Sequence, residues 1–92
     1  MIKQQFIQAL ASTTSLSVSQ ATEAVDTLIT VASSALMRGE DIQLRGFGSL
    51  HVITRRAKLV RHIKHGQSYV YPEHRTVKFI PAHRVKKALQ QP

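Results

Sequence analysis

Ninety-two residues and 10.3 kDa, 42% apolar and 20% charged, describe one small globular domain and leave no room for a second, catalytic one. Thirteen Lys and Arg against five Asp and Glu set the net charge at +8, a balance that favours polyanionic partners, nucleic acid first among them. With no cysteine present, disulfides and thiolate metal sites are excluded.

The charge is unevenly spread. Through Glu40 two basic residues face three acidic ones; from Asp41 onward eleven face two, and all five histidines lie there as well. The binding surface is therefore expected in the C-terminal part. No stretch approaches the roughly 20 apolar residues that span a bilayer. Gln4, Gln5 and Gln8 interrupt any apolar signal core at the start, so the chain reads as a cytoplasmic protein.

Ile2, Phe6, Ala9 and Leu10 recur at helical spacing and predict a short amphipathic helix that ends in Ser12-Thr13-Thr14-Ser15. Ser17-Val18-Ser19-Gln20 then fits a capping box. Val18, Ala21, Val25, Leu28, Ala32 and Ala35 step alternately by three and four, predicting a second helix of about 20 residues that closes at Arg38 and Gly39. Together they make a helical hairpin. Ile29, Val31 and Leu36 widen its apolar surface beyond what the first helix covers, so something else must cover the rest.

After Gly39 the period changes to alternation. Ile42 and Leu44, Leu50 and Val52, then Val77 and Phe79 predict strands with one face on a core, and Gly46-Phe47-Gly48 supplies a tight turn with Phe47 inward. The opposite face carries Gln43, Arg45, Ser49, His51 and Lys78. Residues 54–75 have no sustained apolar face; with Gly66 as the turn they fold most simply into a two-stranded arm of roughly ten residues a limb. Pro72 is tolerated on an edge strand, and Pro81 is a candidate first residue of a short basic helix. In that helix Val85, Ala88 and Leu89 face inward and Arg84, Lys86 and Lys87 outward.

The fold class is therefore α+β: an N-terminal helical hairpin, a three-stranded antiparallel sheet with a long β-ribbon arm, and a short C-terminal helix. Five scattered acids offer neither paired carboxylates nor a nucleophile with its base, so no enzyme, cofactor or small-molecule substrate is expected. His62-x-x-His65 lacks a third ligand, so no metal site is expected either.

The order of elements and the residues together resemble the HU/IHF family of bacterial histone-like DNA-binding proteins. The likeness runs end to end. It is carried by the helical hairpin, Gly46-Phe47-Gly48, the arm residues Arg55, Lys58 and Arg61, the tip Gly66, Phe79 and the closing basic helix. The resemblance implies one domain over residues 1–92, with a dimerising helical part (1–40), a sheet (41–81) bearing a DNA-binding arm (about 54–76), and a C-terminal helix (82–92). It implies an intertwined dimer, of identical chains or with a paralogue, with Phe47, Leu50, Phe79, Leu28 and Val25 in the dimer core. Its arms would wrap double-stranded DNA through the minor groove, as a nucleoid-associated protein that bends and condenses DNA.

Arg55, Arg56, Lys58, Arg61, His62, Ile63, Lys64, His65, Arg75 and Lys78 are the expected DNA contacts, with Lys3, Arg45 and Lys86 on flanking phosphates. The family's arm tip normally reads Arg-Asn-Pro, the proline wedging between base pairs. The matching residues are Arg61-His62-Ile63, so Ile63 is the expected wedge, without proline's fixed backbone angle. The competing reading of the same basic surface is an RNA-binding or ribosome-associated protein.

Overall fold

The computed structural model describes residues 1–61 and 66–91 and divides into two compact units, residues 1–38 and the chain from Gly39 onward. In the first unit α1 (Lys3–Thr13) packs on α2 (Val18–Met37). The Gln5 side chain turns back to accept from the Ile2 N–H at 2.8 Å, which starts α1. The helix ends within Ser12-Thr13-Thr14-Ser15 as expected, and hydroxyls close that end. Thr13 donates to the Ala9 carbonyl at 2.7 Å and Thr14 to that of Leu10 at 2.6 Å, where the Thr14 N–H also donates at 3.1 Å, so the last turn is held by hydroxyls as well as by the backbone.

The capping box of α2 forms as expected. The Gln20 N–H donates to the Ser17 hydroxyl at 3.1 Å and the Gln20 side chain accepts from the Ser17 N–H at 2.9 Å. Ile7 on α1 and Ala21 on α2 are the buried residues of this hairpin, while Val18, Leu28 and Val31 stay at least 60% exposed.

The second unit contains β1 (Ile42–Leu44), β2 (Gly48–Arg55), β3 (Lys58–Arg61), β4 (Ser68–Tyr71), β5 (His74–Pro81) and α3 (His83–Gln90). Strands β1, β2 and β5 form an antiparallel sheet in that order, and β3 pairs with β4 in a separate two-stranded sheet. Register sets Leu50 against both Ile42 and Phe79, and Val52 against Val77. Directly paired residues share a face, so these side chains make the apolar side. Ser49, His51 and Lys78 lie on the other side, together with Ile53 and Ile80.

Four expectations are corrected here. The arm is not one continuous ladder: pairing stops at Arg55–His74 and resumes at Lys58–Tyr71, leaving Arg56 and Ala57 across from Pro72 and Glu73. Pro72 has no N–H to donate, so the ladder breaks at that point and the separate β3–β4 sheet holds four residue pairs. Arg45 lies in the turn between β1 and β2, closed by the Phe47 N–H on the Leu44 carbonyl at 3.0 Å, and not on a strand face.

Pro81 is the last residue of β5, opposite Gly48, rather than the first of the helix. The Ala82 N–H donates to the Phe47 carbonyl at 2.9 Å, which holds the chain extended until α3 starts at His83. Ala88 and Leu89 do not face inward, whereas Arg84 is exposed as expected, its Nε donating to the Gly46 carbonyl at 2.9 Å. These two bonds fix only the first turn of α3, so Val85 is partly covered while Ala88 and Leu89 remain exposed.

Candidate nucleic-acid interface

Where the ribbon leaves the sheet, the broken ladder gathers cations. Arg55 ends β2, Arg56 lies in the gap and Lys58 opens β3; all three are exposed. With Ala57, Tyr71 and His74 they line an open concavity of about 590 Å³. The His74 Nδ1–H donates to the Pro72 carbonyl at 3.0 Å, and its ring meets that of Tyr71 edge-on at 4.7 Å. Further along, pairing places Lys58, Val60, Tyr69 and Tyr71 on one face of the ribbon and Leu59, Arg61, Ser68 and Val70 on the other. Lys58 and Arg61 therefore point to opposite sides. The expected contacts His62, Ile63, Lys64 and His65 lie outside the described residues.

On the polar face of the sheet Lys78 pairs with His51. The His51 ring bridges Asp41 (Nδ1 to Oδ2, 3.2 Å) and the Ser49 hydroxyl (Nε2, 2.9 Å), while the Val52 N–H donates to Asp41 Oδ1 at 2.9 Å. Alternation alone puts Ser49 and His51 on one face; the approach of Asp41 depends on the register between β1 and β2, so sequence reasoning missed it. The order serine, histidine, carboxylate is that of a hydrolase triad, but the Asp41 side chain is 56% exposed, and a solvated carboxylate gives little of the dry electrostatic support such chemistry requires. The array instead ties β1 to β2.

The Val52 N–H first, and then the His51 ring, hold the Asp41 carboxyl below the usual carboxylate range. Because the folded value lies below the unfolded one, the tie is complete above the ordinary value and is lost as pH falls through the lowered one. In an NMR titration the acid-range step of the Val52 amide resonance should be centred below the ordinary aspartate value of about 3.9 and vanish in Asp41→Asn; an acid-range step centred at or above that value would contradict this.

The remaining expected contacts are dispersed. Arg75 lies on the apolar face by register, its guanidinium against Gly39. Lys86 shares a shallow cationic surface with His83 and Lys87 on α3. Lys3, in the helical unit, forms an ion pair with Asp26. Phe47 and Phe79 stack at 5.3 Å yet stay 54% and 42% exposed, Leu28 is 64% exposed, and Leu50 and Val25 are half-buried. Among the described residues no three His, Asp or Glu side chains are placed to hold a metal ion, and no helix is long and apolar enough to cross a membrane.

The family model described as bacterial DNA-binding protein matches residues 1–90. The chain belongs to that family. It is 34% identical over 90 residues to the DNA-binding protein HU of Geobacillus stearothermophilus, covering 98% of this chain and all of that one. To the integration host factor subunit beta of Burkholderia cenocepacia it is 35% identical over 92 residues, 99% of this chain and 82% of that protein. Among solved structures, HU of Anabaena, crystallised with DNA, superposes with a TM-score of 0.87 at 24% identity over the whole of both chains. An HU mutant from Thermotoga maritima gives 0.69 at 23% identity, over 98% of this chain and all of that one. The HU/IHF resemblance and the α+β fold read from the sequence are thus correct.

Proposed function

We propose that this HU-family chain pairs with a second copy or a paralogue, and that the pair wraps and bends duplex DNA through minor-groove contacts of two basic ribbons with little sequence preference. The observation that carries the proposal is the exposed series Arg55, Arg56, Lys58 and Arg61 along strands that have no core of their own. Cations in such a series displace condensed counterions from phosphates, which yields affinity without reading bases. Lys58 and Arg61 point to opposite faces, as suits an element lying between the two phosphate rows that flank a groove. The minor groove barely distinguishes A·T from T·A, so sequence preference is weak.

By their place in sequence His62, Lys64 and His65 extend the series, and Ile63 is the wedge. Lys78, Arg75, Arg45, Lys86 and Lys3 serve flanking phosphates. Pairing is supported by how little the chain buries alone: Ile7 and Ala21 are its buried apolar residues among those described, while Leu28, Val31, Phe47 and Phe79 stay over 40% exposed. A chain so small needs a partner's surface to offset its ordering entropy. Val25, Leu28, Leu50, Phe47 and Phe79 form the shared core. In this reading residues 1–40 dimerise, 41–81 carry the sheet and arm, 82–92 close the domain, and the protein acts on the nucleoid in the cytoplasm.

Bending is the test. Energy transfer between dyes at the ends of a short duplex should rise on binding, and Ile63→Ala should reduce that rise while largely sparing affinity at low salt. Undiminished bending by the variant removes Ile63 from the mechanism; equal competition by duplex RNA, whose minor groove is wide and shallow, removes the groove assignment.

A further inference from the structure

The concavity at the root of the ribbon has a chemistry that duplex binding does not use. Three of its walls are cationic, Arg55, Arg56 and Lys58, and the facing side is an aromatic pair, Tyr71 and His74. A duplex keeps its bases stacked on one another and presents phosphates, which need the cations and not the rings. Tyr71 nevertheless keeps 43% of its surface exposed, and its ring is braced edge-on by His74, itself held by the Pro72 carbonyl. A ring fixed in that way loses little freedom when another ring is laid on its open face. The volume of about 590 Å³ falls in the range of small-ligand sites and accommodates one nucleotide.

We infer that this pocket takes an unpaired nucleotide of single-stranded DNA, the base stacked on Tyr71 and the adjoining phosphates on Arg55, Arg56 and Lys58. Tyr69 lies on the same face of the ribbon, two residues along, 48% exposed, and offers a second platform in line with the first. Stacking on aromatic rings combined with a cationic track is how single strands are held without sequence preference. The site goes beyond the duplex reading, since it needs bases that are free of a complementary strand, as at a gap or an unwound segment.

The composition supplies a direct probe: the chain has two tyrosines, Tyr69 and Tyr71, and no tryptophan, so intrinsic emission reports on this face alone. Titration of the full-length protein with a short oligothymidylate should quench tyrosine fluorescence. Tyr71→Leu should weaken oligothymidylate binding about tenfold and Tyr71→Phe by no more than about twofold, with duplex affinity, read in parallel by anisotropy, unchanged in both. The inference is overturned if the wild-type protein binds the oligonucleotide without quenching, if Tyr71→Phe loses as much as Tyr71→Leu, or if duplex and single strand weaken together. A wild-type protein that binds oligothymidylate but not duplex would instead overturn the duplex reading and leave this site standing.

Discussion

Replacing Arg55, Arg56, Lys58 and Arg61 together by glutamine should weaken duplex binding by about 10²- to 10³-fold at moderate salt and flatten its salt dependence. Each lost phosphate contact removes about one unit from the slope of log K against log salt, so the variant's slope is the sharper readout. Glutamine is shorter than arginine or lysine but keeps a polar, hydrogen-bonding end, and all four residues are exposed, so the sheets should survive the change. The comparison variant is Lys3→Gln. Lys3 is already neutralised by Asp26, so its removal should alter the slope by less than one unit. A slope change per removed charge as large for Lys3→Gln as for the ribbon variant would mean that the charge acts as a diffuse cloud and not through the ribbon.

Gly48→Ala should unfold or severely loosen the second unit. Gly48 has φ +156, outside the range L side chains readily adopt, and a methyl group there would sit 2.6 Å from the Ile80 carbonyl oxygen and 2.7 Å from the Phe79 ring. The oxygen is backbone in a paired strand and cannot swing aside. Strain of this kind costs about 1–3 kcal/mol before the collision is counted. A loss above about 3 kcal/mol lowers the melting temperature of a domain this size by more than about 10 °C. Gly46→Ala separates the two contributions. Its φ of +84 is equally unsuited to alanine, but the nearest atoms to an added methyl belong to the Arg84 side chain at 3.8 Å. That variant should lose only about 1 kcal/mol by thermal denaturation followed by circular dichroism. Matching losses for the two would rule out the steric account of Gly48.

Features written in local sequence were the readable ones. Ser17 and Gln20 lie within one turn of each other, and their capping box needs no knowledge of the rest of the chain. The alternation of Ile42, Leu44, Leu50, Val52, Val77 and Phe79 likewise determines which face is apolar, because register must match those faces or bury polar groups. The apolar surplus of α2 was legible too, and the exposure of Leu28 and Val31 is its counterpart in three dimensions.

What escaped depended on partners distant in sequence. The bond from Arg84 to the Gly46 carbonyl spans 38 positions, and helical periodicity, which places Arg84 on the solvent side correctly, says nothing of that partner. The Asp41–His51 contact depends on strand register. The interruption of the ribbon needed to be known from both limbs at once, since Pro72 breaks the ladder only where the facing strand passes Arg56 and Ala57. Spacing of three between Lys58 and Arg61 already assigns them to opposite faces, yet a charge count alone treats them as one row. The consequence for function is a ribbon with cations on both sides and an aromatic pocket at its root.

The central claim, a paired chain gripping a double helix with two cationic ribbons, is tested most directly by the native mass of the complex with a short duplex, across a range of protein excess. The account predicts a dominant species of two chains on one duplex, with no abundant single-chain complex even when DNA is in excess. A complex that forms stepwise, one chain at a time with the single-chain species well populated, would contradict it.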